Sequence, residues 1–312
     1  MKGLELAKEY FEAFGREMLQ ENFQNHMDRI AVGLCGEGSE CFGFDDEISK
    51  DHDFEPGFCI FITKDDYEKI GFQLERAYSK LPREFCGYER QRLSPVGGNR
   101  HGVIVIDDFY KRFLGVADVP ENTYDWLQIP PNMLATATNG EIWFDNLGDF
   151  SKIRNILLSG YPRDVLLKKL SAHLIMMAQA GQYNYPRICK RRDYGAAQLA
   201  VFEFVKHSIS VIYLLNNTYE PYYKWVYKGI KNFKILSGVE ESLAWLTENG
   251  NDEEKSKLKS EVIEDISSLI IAELNKMNLT EAKSNNLSEH AYSVTSFIKD
   301  VEIRNMHIMS GI

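Results

Sequence analysis

The chain has 312 residues, of which 44% are hydrophobic and 26% are charged, and its formal net charge is −10. This composition is typical of a globular protein and excludes an intrinsically disordered chain. The acidic balance argues against nonspecific nucleic-acid binding, which requires a cationic surface. The length is sufficient for two domains of ordinary size.

No apolar run approaches the ~20 residues that a membrane-spanning helix needs, and the first residues have the pattern of an amphipathic helix rather than of a signal peptide. We therefore expect a cytoplasmic protein with no membrane contact. The five cysteines are an odd number and form no C-x-x-C pair. This pattern fits neither a disulfide framework nor a zinc site, and it predicts buried free thiols.

In chain order, the first half alternates helical and strand patterns. An amphipathic helix is predicted over 4–28, and a second helix over 64–80 begins with two aspartates. The apolar runs that predict strands lie at 30–34, 58–63, 102–106 and 141–144. A segment rich in Gly, Ser and Asp separates the first two strands.

After Ser151 only helical periodicity is visible, and turn-forming Gly and Pro become sparse. We predict an α+β protein in which a domain with a small mixed sheet, residues 1–150, precedes an all-helical bundle domain, residues 151–312.

The turn-rich segment contains Gly38-Ser39 and, twelve residues later, Asp51-x-Asp53. Glycine lets a backbone approach a ligand closely, and a serine hydroxyl can bind a phosphate. If residues 51–63 run into a strand, Asp51 and Asp53 share one face. Two neighbouring carboxylates repel each other unless cations neutralise them, and Mg²⁺ binds such oxygens together with substrate phosphates. The combination predicts phosphoryl or nucleotidyl transfer.

Three simpler interpretations compete with this one. Gly-Ser is most often an ordinary turn, and Asp-x-Asp is common on solvated surfaces. An EF-hand loop starting at Asp51 is excluded, because Pro56 stands where that loop needs glycine and Ile62 where it needs glutamate.

Gly38-Ser39, Ser49 and Asp51-x-Asp53 together resemble the signature of the polymerase-β-type nucleotidyltransferase superfamily, with the closest likeness to small bacterial enzymes that adenylylate kanamycin, streptomycin and lincosamides. The stretches GEGSECFGFDDEISKDHDFEPGF, AQAGQYNYPR and YEPYYKW also resemble a bacterial family known only as a domain of unknown function. The resemblance implies that Gly38, Ser39 and Ser49 contact a nucleotide triphosphate, and that Asp51 and Asp53 bind Mg²⁺ or Mn²⁺.

The superfamily usually has a third catalytic carboxylate on the next central strand. Here that strand reads Val103-Ile104-Val105-Ile106-Asp107-Asp108, so the acid falls at its end. Alternation from Val103 makes Asp107 the better third metal ligand and catalytic residue, whereas Asp108 can instead cap the following helix.

The helical half contains a polar segment that we interpret as the acceptor-binding wall. Its candidate residues are Gln182, Tyr183, Asn184, Arg187 and Asp193. Polar groups crowded between apolar helices are costly to bury without partners, and a ligand would supply them. The alternative interpretation is a solvated helix–helix turn with a basic cap.

Glu203 lies in an otherwise apolar helix and is a candidate general base for an acceptor hydroxyl, although it can equally pair with Lys206 three residues on. Lys224 is a candidate nucleotide contact beside an aromatic run, in which Trp225 is expected to fill core.

The predicted activity is transfer of a nucleoside monophosphate, AMP when ATP is the donor, to a hydroxyl of a small molecule or protein. The predicted donor is ATP or another NTP. The predicted partners are that nucleotide and acceptor, without nucleic acid, in a monomer or homodimer. The alternatives are a non-catalytic nucleotide-binding regulator and an antitoxin-like partner on the same fold.

Overall fold

A computed structural model describes residues 1–51, 54–90 and 100–312, and of Asp51 it describes only the backbone. The described chain separates into two compact units. The first contains Met1–Pro120 and Asn132–Ser159, and the second contains Glu121–Pro131 and Gly160–Ile312.

The described strands all belong to the first unit. They are β1 (Ala31–Leu34), β2 (Cys59–Ile62), β3 (Glu84–Phe85), β4 (Tyr88–Glu89), β5 (Gly102–Val105) and β6 (Glu141–Asp145). Four of them form a sheet in the order β5-β2-β1-β6. β2 and β5 are parallel, whereas β1 is antiparallel to β2 and to β6. The sheet is therefore mixed, as predicted. β3 and β4 form a separate short hairpin.

Both faces of the central strands are covered, so β1 and β2 are buried along their whole length. Phe58 packs edge-on against Phe11, with ring centroids 5.1 Å apart. On the opposite face Phe61 stacks on Phe150 at 4.1 Å. Continuous apolar runs, rather than alternating ones, are what a strand covered on both faces requires.

The helices occupy the rest of both units. They are α1 (Gly3–Tyr10), α2 (Arg16–Phe23), α3 (Lys64–Asp66), α4 (Phe72–Ser79), α5 (Ile106–Leu114), α6 (Thr123–Gln128), α7 (Pro131–Thr138), α8 (Asp149–Leu158), α9 (Arg163–Met177), α10 (Tyr185–Lys190), α11 (Tyr194–Leu215), α12 (Val226–Ile230), α13 (Glu240–Glu248), α14 (Glu253–Lys276), α15 (Leu287–Ser296) and α16 (Val301–Asn305). The α+β class is confirmed. Residues 146–312, all of which are described, contain no strand.

Three π-helical segments join consecutive helices without a break. Phe11–Gly15 joins α1 to α2, Tyr67–Gly71 joins α3 to α4, and Ala178–Asn184 joins α9 to α10. Such wide turns are rare and are found frequently at functional sites. Hydrophobic periodicity did not predict them, because one extra residue per turn changes the period only locally.

In the second unit α9 packs against α11 and α15. Among the described residues, α11 is the one helix long and apolar enough to cross a membrane, and 67% of its apolar stretch is buried inside the protein. This burial is typical of a core helix. A turn at Arg192, where φ is +58°, separates α10 from α11, and Asp193 then caps α11.

The cysteines are free thiols, as expected, but not all are buried. Cys35, Cys41 and Cys59 are buried in the first unit, whereas Cys86 is exposed and Cys189 is half-buried. Burial raises the pKa of the Cys59 thiol to about 12, so this thiol is inert at neutral pH.

Candidate functional site

The turn after β1 is built from two glycines with left-handed backbone. The φ angle is +111° at Gly36 and +121° at Gly38, a region that residues with a Cβ rarely adopt. The Asn139 side chain holds this turn. Its Oδ1 accepts from the Gly36 N–H at 2.8 Å, and its Nδ2 donates to the Gly36 carbonyl at 2.7 Å. Ser39 follows directly in a half-buried position.

Two guanidinium groups lie at this turn. Arg100 donates to the Glu37 carbonyl at 2.8 Å and forms an ion pair with Glu40. Arg112 reaches from α5 to the Glu37 carboxylate at 2.7 Å. A Cβ at position 38 would collide with the Arg100 guanidinium and the Glu40 carboxylate. Glycine at position 38 is required by the backbone, because its φ is +121°, and the Arg100 guanidinium beside it is the kind of group that binds phosphate.

Ser49 is engaged in a local turn. Its Oγ accepts from the Asp46 N–H at 2.7 Å and donates to the Asp46 carbonyl at 2.9 Å. Because the single O–H donor of the hydroxyl is already used, a hydrogen bond from Ser49 to a phosphate oxygen requires this turn to open. The side chain of Asp51 and the whole of Asp53 lie outside the described residues, so the metal-binding pair stays a prediction.

The strand predicted at 58–63 is present, but it does not extend back to residue 51, as a shared face for Asp51 and Asp53 would require. β2 begins only at Cys59, residues 54–58 have no regular structure, and Asp51 ends a 3₁₀ turn that starts at Ser49. Pro56 has no N–H to donate to a neighbouring strand, which delays pairing until after Gly57. Strand alternation therefore cannot be applied to Asp51.

The topology of the sheet gathers four loops at one edge. β1 ends where β2 and β6 begin, because both are antiparallel to it, and β5 begins there too, because it is parallel to β2. We call this the Gly38 edge. Besides the glycine turn it carries Glu55, Arg100, His101 and Asn139.

A histidine and a glutamate form a second pair at the Gly38 edge. Nδ1 of His101 is 3.1 Å from Oε1 of Glu55, and only 8% of the histidine side chain and 18% of the glutamate side chain are exposed. The imidazole ring packs so closely on Gly57 that an added Cβ would lie 2.7 Å from Nδ1. The ring is thus fixed by a hydrogen bond on one side and by backbone on the other.

Asp107 does not lie at the Gly38 edge. β5 ends at Val105, and Asp107 is in the first turn of α5 rather than on the strand. Because the end of β5 pairs with the end of β2, Asp107 stands at the opposite edge of the sheet. Four strand residues at about 3.3 Å each separate the two edges. The alternation argument that singled out Asp107 is therefore wrong. Asp108 is exposed, and neither aspartate provides a side-chain cap.

Within the described part of the chain, no three His, Cys, Asp or Glu side chains are grouped so that they could hold a metal ion. The acids of the Gly38 edge are instead paired: Glu37 with Arg112, Glu40 with Arg100, and Glu55 with His101.

In the second unit, Gln182 bridges three elements. It lies in the π segment, donates to the Glu264 carboxylate at 2.8 Å and to the Asn285 carbonyl at 2.9 Å, and accepts from the Leu287 N–H at 2.9 Å. These bonds satisfy one free N–H at the start of α15. The polarity of Gln182 predicted a ligand contact, whereas in the structure its side chain has three hydrogen-bond partners within the protein.

A cavity of about 330 Å³ opens beside Gln182. Tyr183 also lines it, together with Ile175, Ala178, Gln179, Asn286, Ser288 and Met309. Tyr183 is 57% exposed, and the Arg187 guanidinium lies over its ring at 4.6 Å. Asn184 ends the π segment in a half-buried position. The predicted acceptor segment therefore borders a real cavity, with Gln182 and Tyr183 in its wall.

The remaining predicted residues of this unit have structural partners. Asp193 caps α11 by accepting from the Ala196 N–H at 3.2 Å. Glu203 pairs with His207 one turn along α11, at 3.2 Å, and this geometry replaces the expected pairing with Lys206. Nδ1 of His207 is in turn 2.8 Å from Nδ1 of His173 on α9.

Lys224 lies on an exposed aromatic surface. Its ammonium group is 4.5 Å from the centre of the Trp225 ring, and the Tyr222 and Tyr223 rings are 4.4 Å apart. Trp225 is half-buried, so the expectation that it fills core is only partly right.

Several residues of these sites were not predicted from the sequence. Asn139 and Arg112 are distant in sequence from the glycine turn, and no local pattern marks them. Glu55 and His101 could have been found by asking which polar residues immediately precede the two parallel strands, since such residues meet at one edge. The buried His173 and His207 had no signal except their position in apolar helices.

A family model described as "Domain of unknown function (DUF4037)" matches residues 126–226. No curated protein and no solved structure matches the chain. The matched stretch includes the polar segment at 178–187, His173, His207 and the exposed aromatic surface. The match begins at residue 126, so it includes Asn139 but not Gly38, Glu55, Arg100 or His101.

Proposed function

We propose that this chain is a metal-dependent nucleotidyltransferase whose nucleotide binds at the Gly38 edge. The observation that carries the proposal is that the Gly38-Ser39 turn and the start of β2 lie at the same edge of the sheet. The segment before β2 directly follows Asp53 in the chain. The turn is held open by Asn139 and flanked by Arg100 and Arg112.

The chemistry of this edge fits a metal-bound triphosphate. Asp51 and Asp53 would bind Mg²⁺ or Mn²⁺, and the Ser39 hydroxyl and the Arg100 guanidinium would contact phosphate oxygens. The bound ion would neutralise charge on the transferred phosphoryl group. The acceptor hydroxyl would come from a small molecule or protein, and the residues beside the Tyr183 cavity and the carboxylate of Glu203 remain the predicted contacts for it. Lys224 remains a predicted nucleotide contact.

Metal-dependent ATP binding tests this proposal. We expect Asp51→Ala combined with Asp53→Ala to lower the affinity for ATP in the presence of Mn²⁺ by at least about tenfold, because two of the ion's anionic ligands are lost. Isothermal titration with a nonhydrolysable ATP analogue measures the effect.

The matched control removes the same number of aspartates at the opposite edge of the sheet. Asp107→Ala combined with Asp108→Ala is expected to bind the analogue as the unaltered protein does. Equal affinities in all three proteins would contradict a metal site at residues 51–53.

A non-catalytic nucleotide-binding regulator is the second candidate, and the position of Asp107 favours it. The expected third carboxylate, Asp107, lies at the opposite edge from the glycine turn, and the described acids Glu37, Glu40 and Glu55 of the Gly38 edge are each paired with a basic side chain. Such a regulator binds ATP and releases no pyrophosphate. Pyrophosphate release with any tested acceptor would reject this alternative.

A further inference from the structure

One face of α11 changes from exposed to covered half-way along the helix. Positions 199, 202, 206, 210 and 213 are three or four residues apart, so their side chains lie on the same face. Ser210 and Tyr213 are buried there. Ser210 donates to the Glu220 carboxylate at 2.6 Å, and Tyr213 donates to the Val226 carbonyl at 2.9 Å. The segment 220–226 therefore covers the C-terminal half of this face.

The N-terminal half of the same face is apolar and open to solvent. Leu199 is 67% exposed and Phe202 is 47% exposed. Single exposed apolar residues are ordinary on a protein surface, but these two are neighbours on one helical face. Tyr222 and Tyr223, which belong to the covering segment, are exposed as well. We call Leu199, Phe202, Tyr222 and Tyr223 the α11 face.

The region around the α11 face is basic, although the whole chain has a formal net charge of −10. From Lys190 to Lys234 the sequence has eight Lys or Arg residues and three Asp or Glu residues. Arg191 and Arg192 are exposed in the turn before α11, and Lys206 is exposed one turn after Phe202. Among the ion pairs of the described chain, none includes these three cations.

Charge and side-chain shape distinguish three kinds of partner for this face. A second copy of the chain would bring its own cations against Arg191, Arg192 and Lys206, and like charges at an interface disfavour association. A single-stranded nucleic acid stacks its bases on aromatic rings, and Leu199 has no ring to offer. An amphipathic helix would bury Leu199 and Phe202 against its own apolar stripe, while acidic residues beside that stripe would meet the cations.

We propose that the α11 face binds an acidic amphipathic helix of a partner protein. The open part of α11, from Tyr194 to Lys206, is about 18 Å long at 1.5 Å per residue, which matches about three turns of a partner helix. Apolar contacts with Leu199 and Phe202 provide the affinity at the centre. The cations before and after them fix the orientation of the partner.

Fluorescence anisotropy with three synthetic peptides of about 14 residues tests this proposal on the full chain. The first peptide has leucines at helical spacing i, i+3, i+4, i+7 and glutamates on its other face. The second has the same composition with its leucines spread around the helix, and the third has lysine in place of glutamate. We expect the first peptide to bind at least about tenfold more tightly than either of the others.

Substitutions on the surface of α11 locate the binding. Leu199→Ser combined with Phe202→Ser is expected to weaken binding of the first peptide by at least about tenfold. Both side chains are exposed, so the fold is expected to persist, and circular dichroism checks this. The matched control is Leu258→Ser combined with Leu269→Ser, which removes two exposed leucines of α14 and is expected to leave binding unchanged.

Removal of the cations tests the acidic character of the partner. Arg191→Gln combined with Lys206→Gln is expected to weaken binding of the first peptide and to reduce its dependence on salt concentration, because screened ion pairs are lost. Unchanged affinity and salt dependence in this variant would overturn the assignment of an acidic partner.

Three other results would overturn the proposal as a whole. The first is equal affinity for the three peptides, or equal effects of the α11 and α14 variants. The second is a dimer of the unaltered protein in sedimentation that Leu199→Ser with Phe202→Ser dissociates, since a second copy would then occupy the face. The third is binding of an oligouridylate of about 12 nucleotides that this variant abolishes. These measurements use neither nucleotide triphosphate nor metal, so they do not depend on the proposed function.

Discussion

The residues that the sequence marked as functional serve two different purposes in the structure. Gln182 and Asp193 satisfy free N–H groups at helix starts, and Ser49 closes a turn on Asp46. Gly38 instead serves the backbone, because its φ of +121° is one that residues with a Cβ rarely adopt. A residue type alone does not separate these purposes, because a hydrogen bond to backbone and one to a ligand require the same chemical group.

The buried histidine pair of the second unit leads to a prediction about pH. Because Nδ1 of His173 and Nδ1 of His207 face each other at 2.8 Å, one donates and the other accepts, and the contact holds a single proton. Burial lowers the pKa of both residues, that of His207 to about 4, and Lys206 lowers it further while Glu203 opposes the shift. Lys169 adds to the lowering at His173.

We expect this pair to make the second unit sensitive to acid. The unfolded chain takes up a proton on His207 near pH ~6.5, whereas the folded chain takes it up only near pH 4. The contribution of His207 to stability is therefore complete above pH ~6.5 and is lost as the pH falls toward 4. Burial lowers the pKa of His173 in the same direction, so its protonation also destabilises the folded chain.

Urea unfolding at a series of pH values measures this loss. His173→Gln combined with His207→Gln is expected to remove this part of the pH dependence, whereas His307→Gln, which leaves the pair intact, is expected to retain it. An identical pH profile in the double variant would show that the pair does not control acid stability.

At the scale of elements, the principal corrections concern where strands begin and end. β2 starts at Cys59 because Pro56 cannot pair, and β5 ends at Val105 because the chain turns at once into α5. As a result, neither Asp51 nor Asp107 lies on a strand. Apolar runs predict the centre of a strand well, but the ends depend on backbone pairing with a neighbour.

Gln182, in the π segment between α9 and α10, is predicted to stabilise the fold through its hydrogen bonds. We expect Gln182→Ala to lower the free energy of unfolding by about 1–3 kcal/mol, because the Leu287 N–H and the Glu264 carboxylate lose their partner. Chemical denaturation followed by circular dichroism measures the change.

Gln179→Ala is the matched control, because Gln179 lies in the same π segment, is exposed, and borders the same cavity. It is expected to change stability by less than about 0.5 kcal/mol. Equal effects of the two substitutions would contradict the bridging role of Gln182.

At the scale of the whole molecule, the chain divides into an α+β unit and a helical unit, and a short excursion, Glu121–Pro131, belongs to the helical unit. The sequence boundary near residue 150 follows the change from mixed to helical periodicity. The sequence does not reveal this excursion, which contains α6. A local helical pattern does not show which core a helix joins.

Hydrogen exchange can locate ligand binding in one of the two units. With Mn²⁺ and a nonhydrolysable ATP analogue, we expect slower amide exchange at the Gly38 edge, in residues 36–39, 54–58 and 100–102, because bound ligand suppresses local opening. Mass spectrometry of peptides from the two units measures this. Protection confined to the second unit would place the nucleotide elsewhere and contradict the proposed site.

The four strands of the main sheet, the change to an all-helical second half and the glycine turn could all be predicted from the sequence. These features are local, since hydrophobic periodicity and glycine conformation depend on neighbours along the chain. Which loops meet could not be predicted. Strand order brings Glu55, Arg100, His101 and Asn139 to the turn and takes Asp107 away from it. Strand pairing joins residues far apart in sequence, so no local pattern records it.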